Sequence, residues 1–270
     1  LFIKMDLRKM EIEILIQDTI KNSIEGFFKD KEVKVEHVLD LIFPKERRIR
    51  SLIGGLETSL GTQLWEPLAK TFAEQGGFSV LDEKQLNLSV PVIPEDIRNR
   101  ISAFAEQKRA DNSLLHTTFF GELVNCIKKE NILVDEYQKI PKGEGVDIWL
   151  EKDGIEYLID IKTTQLNAGG GPKFNSNLLN WYAYRALAGV RSPVYSFIAF
   201  PFNPHKNKDF WSRERGKVSP LIPSTEALVA DEFWDLLLGQ ENTTEMIFAE
   251  FKKLGEDDFG SQFDKIFTPN

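Results

Sequence analysis

Two aspartates and a lysine stand at spacings that can bring them to one spot: Asp147, Asp160 and Lys162. Between the aspartates lies Asp153-Gly154, flanked by two runs of alternating apolar and polar residues. That is the pattern of a two-residue type I′ hairpin turn. Such a turn pairs Ile148 with Ile159 and Leu150 with Tyr157, which with Val146 and Ile161 make an apolar face. The other face pairs Glu151 with Glu156, Trp149 with Leu158 and Asp147 with Asp160. Lys162, two residues beyond Asp160, projects from that second face. Directly opposed side chains have Cβ atoms about 4.5–5.5 Å apart, where like charges destabilise a sheet. The register therefore calls for a positive partner, either Lys162 or a bound divalent cation. Carboxylate oxygens suit Mg²⁺ or Mn²⁺, and Mg²⁺ typically takes one or two carboxylates together with water and phosphate oxygens. Hydrolysis of a phosphodiester needs such a centre, which polarises the phosphoryl oxygen, activates water and offsets charge on the leaving oxygen. Lys162 would orient the water or stabilise the developing negative charge.

The hairpin needs a fold to hold it. Leu7, Met10, Ile14, Leu15 and Ile20 recur at helical spacing, as do Leu52, Leu56, Leu60, Leu64 and Leu68, so residues 5–76 read as helical. Phe78 to Leu81 reads as a short extended piece, Pro91 and Pro94 mark a connector, and 98–112 reads as a polar stretch. Helices are predicted over Leu115–Lys129 and Asn177–Leu187, a buried strand over Val194–Phe200, and two helices after Thr225. This order argues an α/β core wrapped by helices from both termini. We read residues 1–270 as a single domain, with a mainly helical part to 112, the core and a basic segment over 113–220, and a helical part from 221.

The chain of 270 residues carries a formal charge of −8, which argues against coating nucleic acid or a membrane by bulk charge. The charge is uneven: −7 over 1–160, +7 over 161–220 and −8 over 221–270. A basic strip in an acidic protein suggests a local polyanion-facing surface. Within it, the glycines of the stretch from Asn167 to Asn175 would let backbone N–H groups approach a phosphate, with Lys173 adding charge; a flexible hinge is the alternative. The stretch lacks the Gly-Lys-Ser/Thr ending of a P-loop. Gln165 reads as a loop residue. Arg213, Arg215 and Lys217 follow in a segment mixing cations, amides and aromatics, suited to guanine edges or phosphates. With Lys173 and Asn175 they are candidate DNA contacts, and Arg47, Arg48 and Arg50 form a second cationic group. Trp181, Tyr182 and Tyr184 read as core packing. A lone cysteine, Cys126, excludes an internal disulfide framework and fits a cytoplasmic setting. His37, His116 and His205 lack metal-ligand spacing, which argues against a zinc enzyme. No apolar run approaches the roughly 18–20 residues that span a bilayer. The opening Leu1–Lys4 is too short for the apolar region of a signal peptide.

The arrangement of Asp147, the hairpin and Asp160-x-Lys162 resembles the PD-(D/E)xK nuclease superfamily, with Val146 where the motif's proline would stand. The segment Arg47–Ala69 and the order of motifs resemble type II restriction endonucleases of the TdeIII and MjaII kind. The resemblance implies a restriction-endonuclease-like core, a mixed central sheet flanked by helices. It implies a Mg²⁺ site (Mn²⁺ substituting) at Asp147 and Asp160, with Lys162 beside it. Members often add a glutamate from the helix before the hairpin. Glu122 is the candidate here, and Glu57 and Glu66 are alternatives. The implied activity is cleavage of double-stranded DNA at a short interrupted palindrome of the GGNCC form, leaving 5′-phosphate and 3′-hydroxyl ends. A palindrome calls for two active sites related by a two-fold axis, hence a homodimer, and a cognate DNA methyltransferase as genetic partner. A structure-specific repair nuclease with the same core and a non-catalytic DNA-binding protein are the rival readings.

Overall fold

The computed structural model describes residues 2–32, 37–163, 169–205 and 208–268, with side chains from residue 8 onward. Gln165, Asn167 and Lys206 lie outside the described residues. The chain divides into two compact units, one made of Leu1–Thr71 and Gln240–Asn270, the other of Phe72–Gly239. These divisions differ from the boundaries at 112 and 220 read from the sequence, because residues 72–112 belong with the sheet and the tail from 240 belongs with the first helices.

The first helices are α1 (Phe2–Phe28), α2 (Pro44–Leu60) and α3 (Glu66–Gln75). In α1, Ile12, Ile16, Ile20, Ser23 and Phe27 are buried, a stripe at three- and four-residue steps. Strand β1 (Ser79–Val80), helix α4 (Glu83–Leu88) and strand β2 (Val90–Pro91) follow, then α5 (Glu95–Ala110), α6 (His116–Glu130) and β3 (Tyr137–Gln138). The hairpin is β4 (Ile148–Lys152) and β5 (Ile155–Ile161). Beyond it come α7 (Gly170–Leu187), β6 (Val194–Phe200), α8 (Trp211–Val218), β7 (Ala227–Val229) and α9 (Asp231–Leu238). Helices α10 (Thr243–Glu256) and α11 (Asp264–Phe267) close the chain.

In the helical unit, Phe27 and Phe28 of α1, Leu52 of α2 and Phe263 near α11 form a small aromatic-rich core. Val38, Leu41, Ile42 and Phe43, ahead of α2, are exposed. No helix among the described residues is long and apolar enough to cross a membrane.

The sheet unit holds a five-stranded mixed sheet in the order β1-β4-β5-β6-β7. The β1–β4 and β4–β5 pairs are antiparallel, whereas β5–β6 and β6–β7 are parallel. Asp153 and Gly154 take φ of +54° and +77°, as a type I′ turn requires. The hairpin pairs Ile148 with Ile159 through to Lys152 with Ile155, the register the turn predicts. Both faces of the sheet are covered. On one, Leu158, Ile198 and Phe200 meet Phe104, Phe119, Leu123, Leu178 and Tyr182 from α5, α6 and α7. On the other, Phe197 packs edge-on against Phe233 of α9.

Several elements depart from the expectations, and Met10 and Ile14 of the stripe read in the first helix are exposed. The polar stretch 98–112 lies in helix α5 as far as Ala110, and Ile97, Ile101 and Phe104 of that helix are buried. Helix α7 begins at Gly170 and takes in residues 170–175 of the glycine-rich stretch. The three-residue strand β7 was not anticipated.

Candidate active site

The site is built where the parallel strands β5 and β6 end, the edge at which open α/β sheets place ligands. Ile161 is beside Ala199 in the register, and the Lys162 N–H donates to the Ala199 carbonyl at 2.9 Å. Asp160, level with Ile198, is only 3% exposed. Asp147 lies one residue ahead of β4 and is half-buried. Its N–H donates to the Ile159 carbonyl at 3.0 Å, while its own Oδ2 accepts the Ile161 N–H at 2.9 Å. A carboxylate thus caps the strand edge where a backbone carbonyl would continue the ladder. This turns Asp147 toward Asp160, near enough for each carboxyl to act on the other's charge.

Lys162 ion-pairs with Asp160 and keeps about a third of its side chain exposed. Its ammonium also lies 5.8 Å from the centre of the Phe174 ring on α7. Burial pushes the Asp160 carboxyl up to about 8, against the pull of Lys162, and the neighbouring Asp147 adds to the rise. Two carboxyls forced together in a partly dry cleft form a site that a divalent cation relieves, because its charge favours both ionised forms. Among the described residues no cluster of three His, Cys, Asp or Glu side chains is shaped to hold a metal. Two carboxylates fit Mg²⁺, whose remaining positions go to water and phosphate oxygens.

Among the described residues no glutamate completes a cluster of three metal-holding side chains with this pair. Glu122 is exposed on α6 and is not gathered with the two aspartates. Glu57 on α2 is exposed, Glu66 opens α3, and both belong to the helical unit.

The candidate DNA contacts separate into exposed and engaged groups. Lys173 is exposed on the first turn of α7, and its Nζ would lie 3.9 Å from a Cβ built on Gly143. That places its charge beside the turn leading to Asp147. Arg213 and Arg215 are exposed on α8. Lys217 is instead paired with the buried Glu214 at 2.8 Å, and His205 Nε2 lies 2.9 Å from the same carboxylate. Burial opposes its ionisation, yet hydrogen bonds from Lys217 and His205 hold Glu214 below its ordinary value. Asn175 corrects the reading most clearly. It is 2% exposed, with Oδ1 lying 2.7 Å from His116 Nε2, and is no surface contact. In the helical unit, Arg47 bonds Asp40 at 3.0 Å and Arg48 bonds the Ile266 carbonyl at 2.6 Å, while Arg50 is exposed.

The glycines ahead of Asn175 also have a packing role. A Cβ on Gly171 would fall 2.0 Å from the Ser219 carbonyl oxygen and 2.6 Å from Val218, so only glycine lets α7 come this close to the end of α8. Trp181, Tyr182 and Tyr184 are buried, as expected. The Tyr182 hydroxyl accepts the Ser196 N–H at 2.9 Å. Arg185 grips Glu156 through Nε at 2.8 Å and Nη2 at 2.9 Å while stacking on Trp149, which ties α7 to the hairpin.

Sequence reasoning missed a buried polar cluster behind the site. Lys108 on α5, fully buried, pairs with Glu226 at 2.8 Å. The His116 N–H donates to Glu226 Oε1 at 3.0 Å, and the His116 ring reaches Asn175. Burial pushes His116 down to about 4, beyond what Glu226 restores, so the imidazole is neutral at neutral pH. The four-residue steps from Ile97 to Ile101 and from Phe104 to Lys108 put Lys108 on the buried face of α5, a signal that was available.

A family model described as type II restriction endonuclease, HinfI, matches residues 8–255. The chain belongs to that family. The match takes in α5, the hairpin, α7 and α8, so every residue of the candidate site lies inside the HinfI-family segment. Among curated relatives, the type II restriction enzyme MjaII of Methanocaldococcus jannaschii is 26% identical over 229 residues, covering 79% of this chain. The aligned part spans 57% of that relative's length. No solved structure matches this HinfI-family chain.

Proposed function

We propose that this chain is a site-specific endonuclease of double-stranded DNA, using Mg²⁺ (or Mn²⁺) at Asp147 and Asp160 within a restriction-endonuclease-like PD-(D/E)xK core. The observation that carries the reading is the convergence of Asp147, Asp160 and Lys162 at the end of β5, inside the segment matched by a restriction endonuclease family. Bound between the carboxylates, the cation would polarise the scissile phosphate and lower the pKa of water. Asp147 is anchored by the Ile161 N–H and Asp160 by its burial, so the two donors keep their positions when substrate arrives. Lys162, partly exposed, holds the attacking water in line and offsets negative charge growing on the phosphate. The break leaves a 5′-phosphate and a 3′-hydroxyl. Lys173, Arg213 and Arg215 meet the phosphate backbone or guanine edges, with Arg50 as a further candidate.

The target is an interrupted palindrome, with GGNCC the first sequence to try. Two-fold symmetry of such a site is served by a homodimer, and a cognate methyltransferase would protect the host's copies. Digestion of a fully sequenced phage DNA with Mg²⁺ tests the reading. Discrete fragments are expected, lost on chelation and lost in Asp160→Ala, which still binds DNA. Cutting by Asp160→Ala would remove the site assignment, and erosion from DNA ends would move the protein to the repair nucleases.

A further inference from the structure

We propose that Asn175 and His116 are positioning residues of the cleavage site, setting the first turns of α7 against Lys162; this rests on the nuclease reading above. Asn175 is buried and sits one residue after Phe174, whose ring lies 5.8 Å from the Lys162 ammonium, and two after Lys173. Successive helix residues differ by a fixed rotation of about 100°. Fixing the direction of Asn175 therefore fixes where Phe174 and Lys173 point. The anchor is His116 Nε2, 2.7 Å from Asn175 Oδ1.

His116 is itself held from behind. It is the first residue of α6, and its N–H is taken by Glu226 Oε1. Glu226 also accepts the Ile222 N–H at 3.0 Å and the Lys108 ammonium. The backbone carbonyl of Glu226 accepts the Ile198 N–H at 3.0 Å, and Ile198 is the residue beside Asp160 in the sheet. The buried hydrogen bonds thus end next to the site at two points, at Ile198, the sheet neighbour of Asp160, and at Asn175, the chain neighbour of the Phe174 that lies against Lys162. The His116 ring is surrounded by Phe104 and Tyr182, at centroid distances of 6.3 Å and 5.8 Å, a setting an apolar ring would fill at lower cost. Burying a lysine, a glutamate, an imidazole and an amide is expensive where apolar side chains would pack. What the polar set adds is direction: a hydrogen bond fixes an angle that packing alone leaves loose.

The test uses the full chain and the double variant His116→Phe/Asn175→Leu. Replacing both partners by apolar groups of similar shape is close to neutral for stability, whereas either change alone strands a buried polar group. Single-turnover cleavage is followed with Mg²⁺, and DNA affinity with Ca²⁺. The rate constant should fall about 100-fold, the scale set by a displacement near 1 Å. Burst amplitude and affinity should remain within about threefold of the parent, about 0.7 kcal/mol. A misfolded fraction would instead lower the amplitude and leave the rate constant alone. A rate constant within fivefold of the parent, or a loss carried wholly by amplitude or affinity, overturns the proposal while the nuclease reading stands. A parent protein that cuts no DNA overturns both. Should the double variant lack a cooperative melting transition, Asn175→Gln replaces it, because one added methylene shifts the turn while keeping the amide, and the same outcomes decide.

Discussion

The two units treat charge in opposite ways. Among the described residues, the sheet unit buries Lys108, His116, Asp160, Glu214 and Glu226, while the helical unit buries one ionisable side chain, Glu250. Even that one is paired with Lys253, whose side chain is 48% exposed. The helical unit holds together through Phe27, Phe28, Leu52 and Phe263, and leaves Val38, Leu41, Ile42 and Phe43 exposed. Apolar packing is enough where elements need only adhere. Buried charge is found in and behind the aspartate pair, and it brings a stability cost that the first unit avoids.

The sharpest way to break this contrast is at the site. Lys162→Ala should slow cleavage about 10³-fold, about 4 kcal/mol of transition-state stabilisation, with DNA affinity little changed. Cleavage at the parental rate would show that the ammonium serves the fold alone. Next comes Lys108→Met, which strands the Glu226 carboxylate in the interior. Chemical denaturation should report a loss of about 3 kcal/mol or more. In the helical unit, Lys253→Ala removes the partner of Glu250 beside solvent, and its denaturation midpoint should move far less than that of Lys108→Met. Equal shifts would erase the distinction between the units.

His116 supplies a test in pH. Its folded value of about 4 lies below the ordinary 6.5, so between these values the unfolded chain binds a proton that the folded chain refuses. The contribution is intact above pH 6.5 and is lost as pH falls toward 4, amounting to about 3 kcal/mol. Stability curves of the parent and His116→Phe should therefore differ in slope within that window and run parallel above it. Parallel curves throughout would remove His116 from the account. The smallest effect is expected at Arg213. Arg213→Ala should reduce the dependence of log affinity on log salt by about 1, the signature of a lost phosphate contact.

The hairpin was legible because its information is local. A turn dipeptide and a period of two set the register, and the register alone places Asp147 and Asp160 at the open end. What stayed hidden depended on distant partners. Counting cations found the basic strip of 161–220, but the pairing of Arg185 with Glu156 and of Lys217 with Glu214 takes two of its charges inward. Among the described residues, Lys173, Arg191, Lys208, Arg213 and Arg215 are left facing solvent. Asn175 looked like a surface amide next to a lysine, and only the arrival of α6 makes it an interior one. Strand β7 is three residues long, too short for a periodic signal, and exists because β6 offers it an edge.

The close approach at Gly171 has a mechanical consequence. With the Ser219 carbonyl already against its α-carbon, the first turn of α7 has no slack toward α8. Any shift of α8 must therefore push that turn, which carries Phe174 beside Lys162. Placement of the ring beside the lysine thus depends on how the two helices meet at a single glycine.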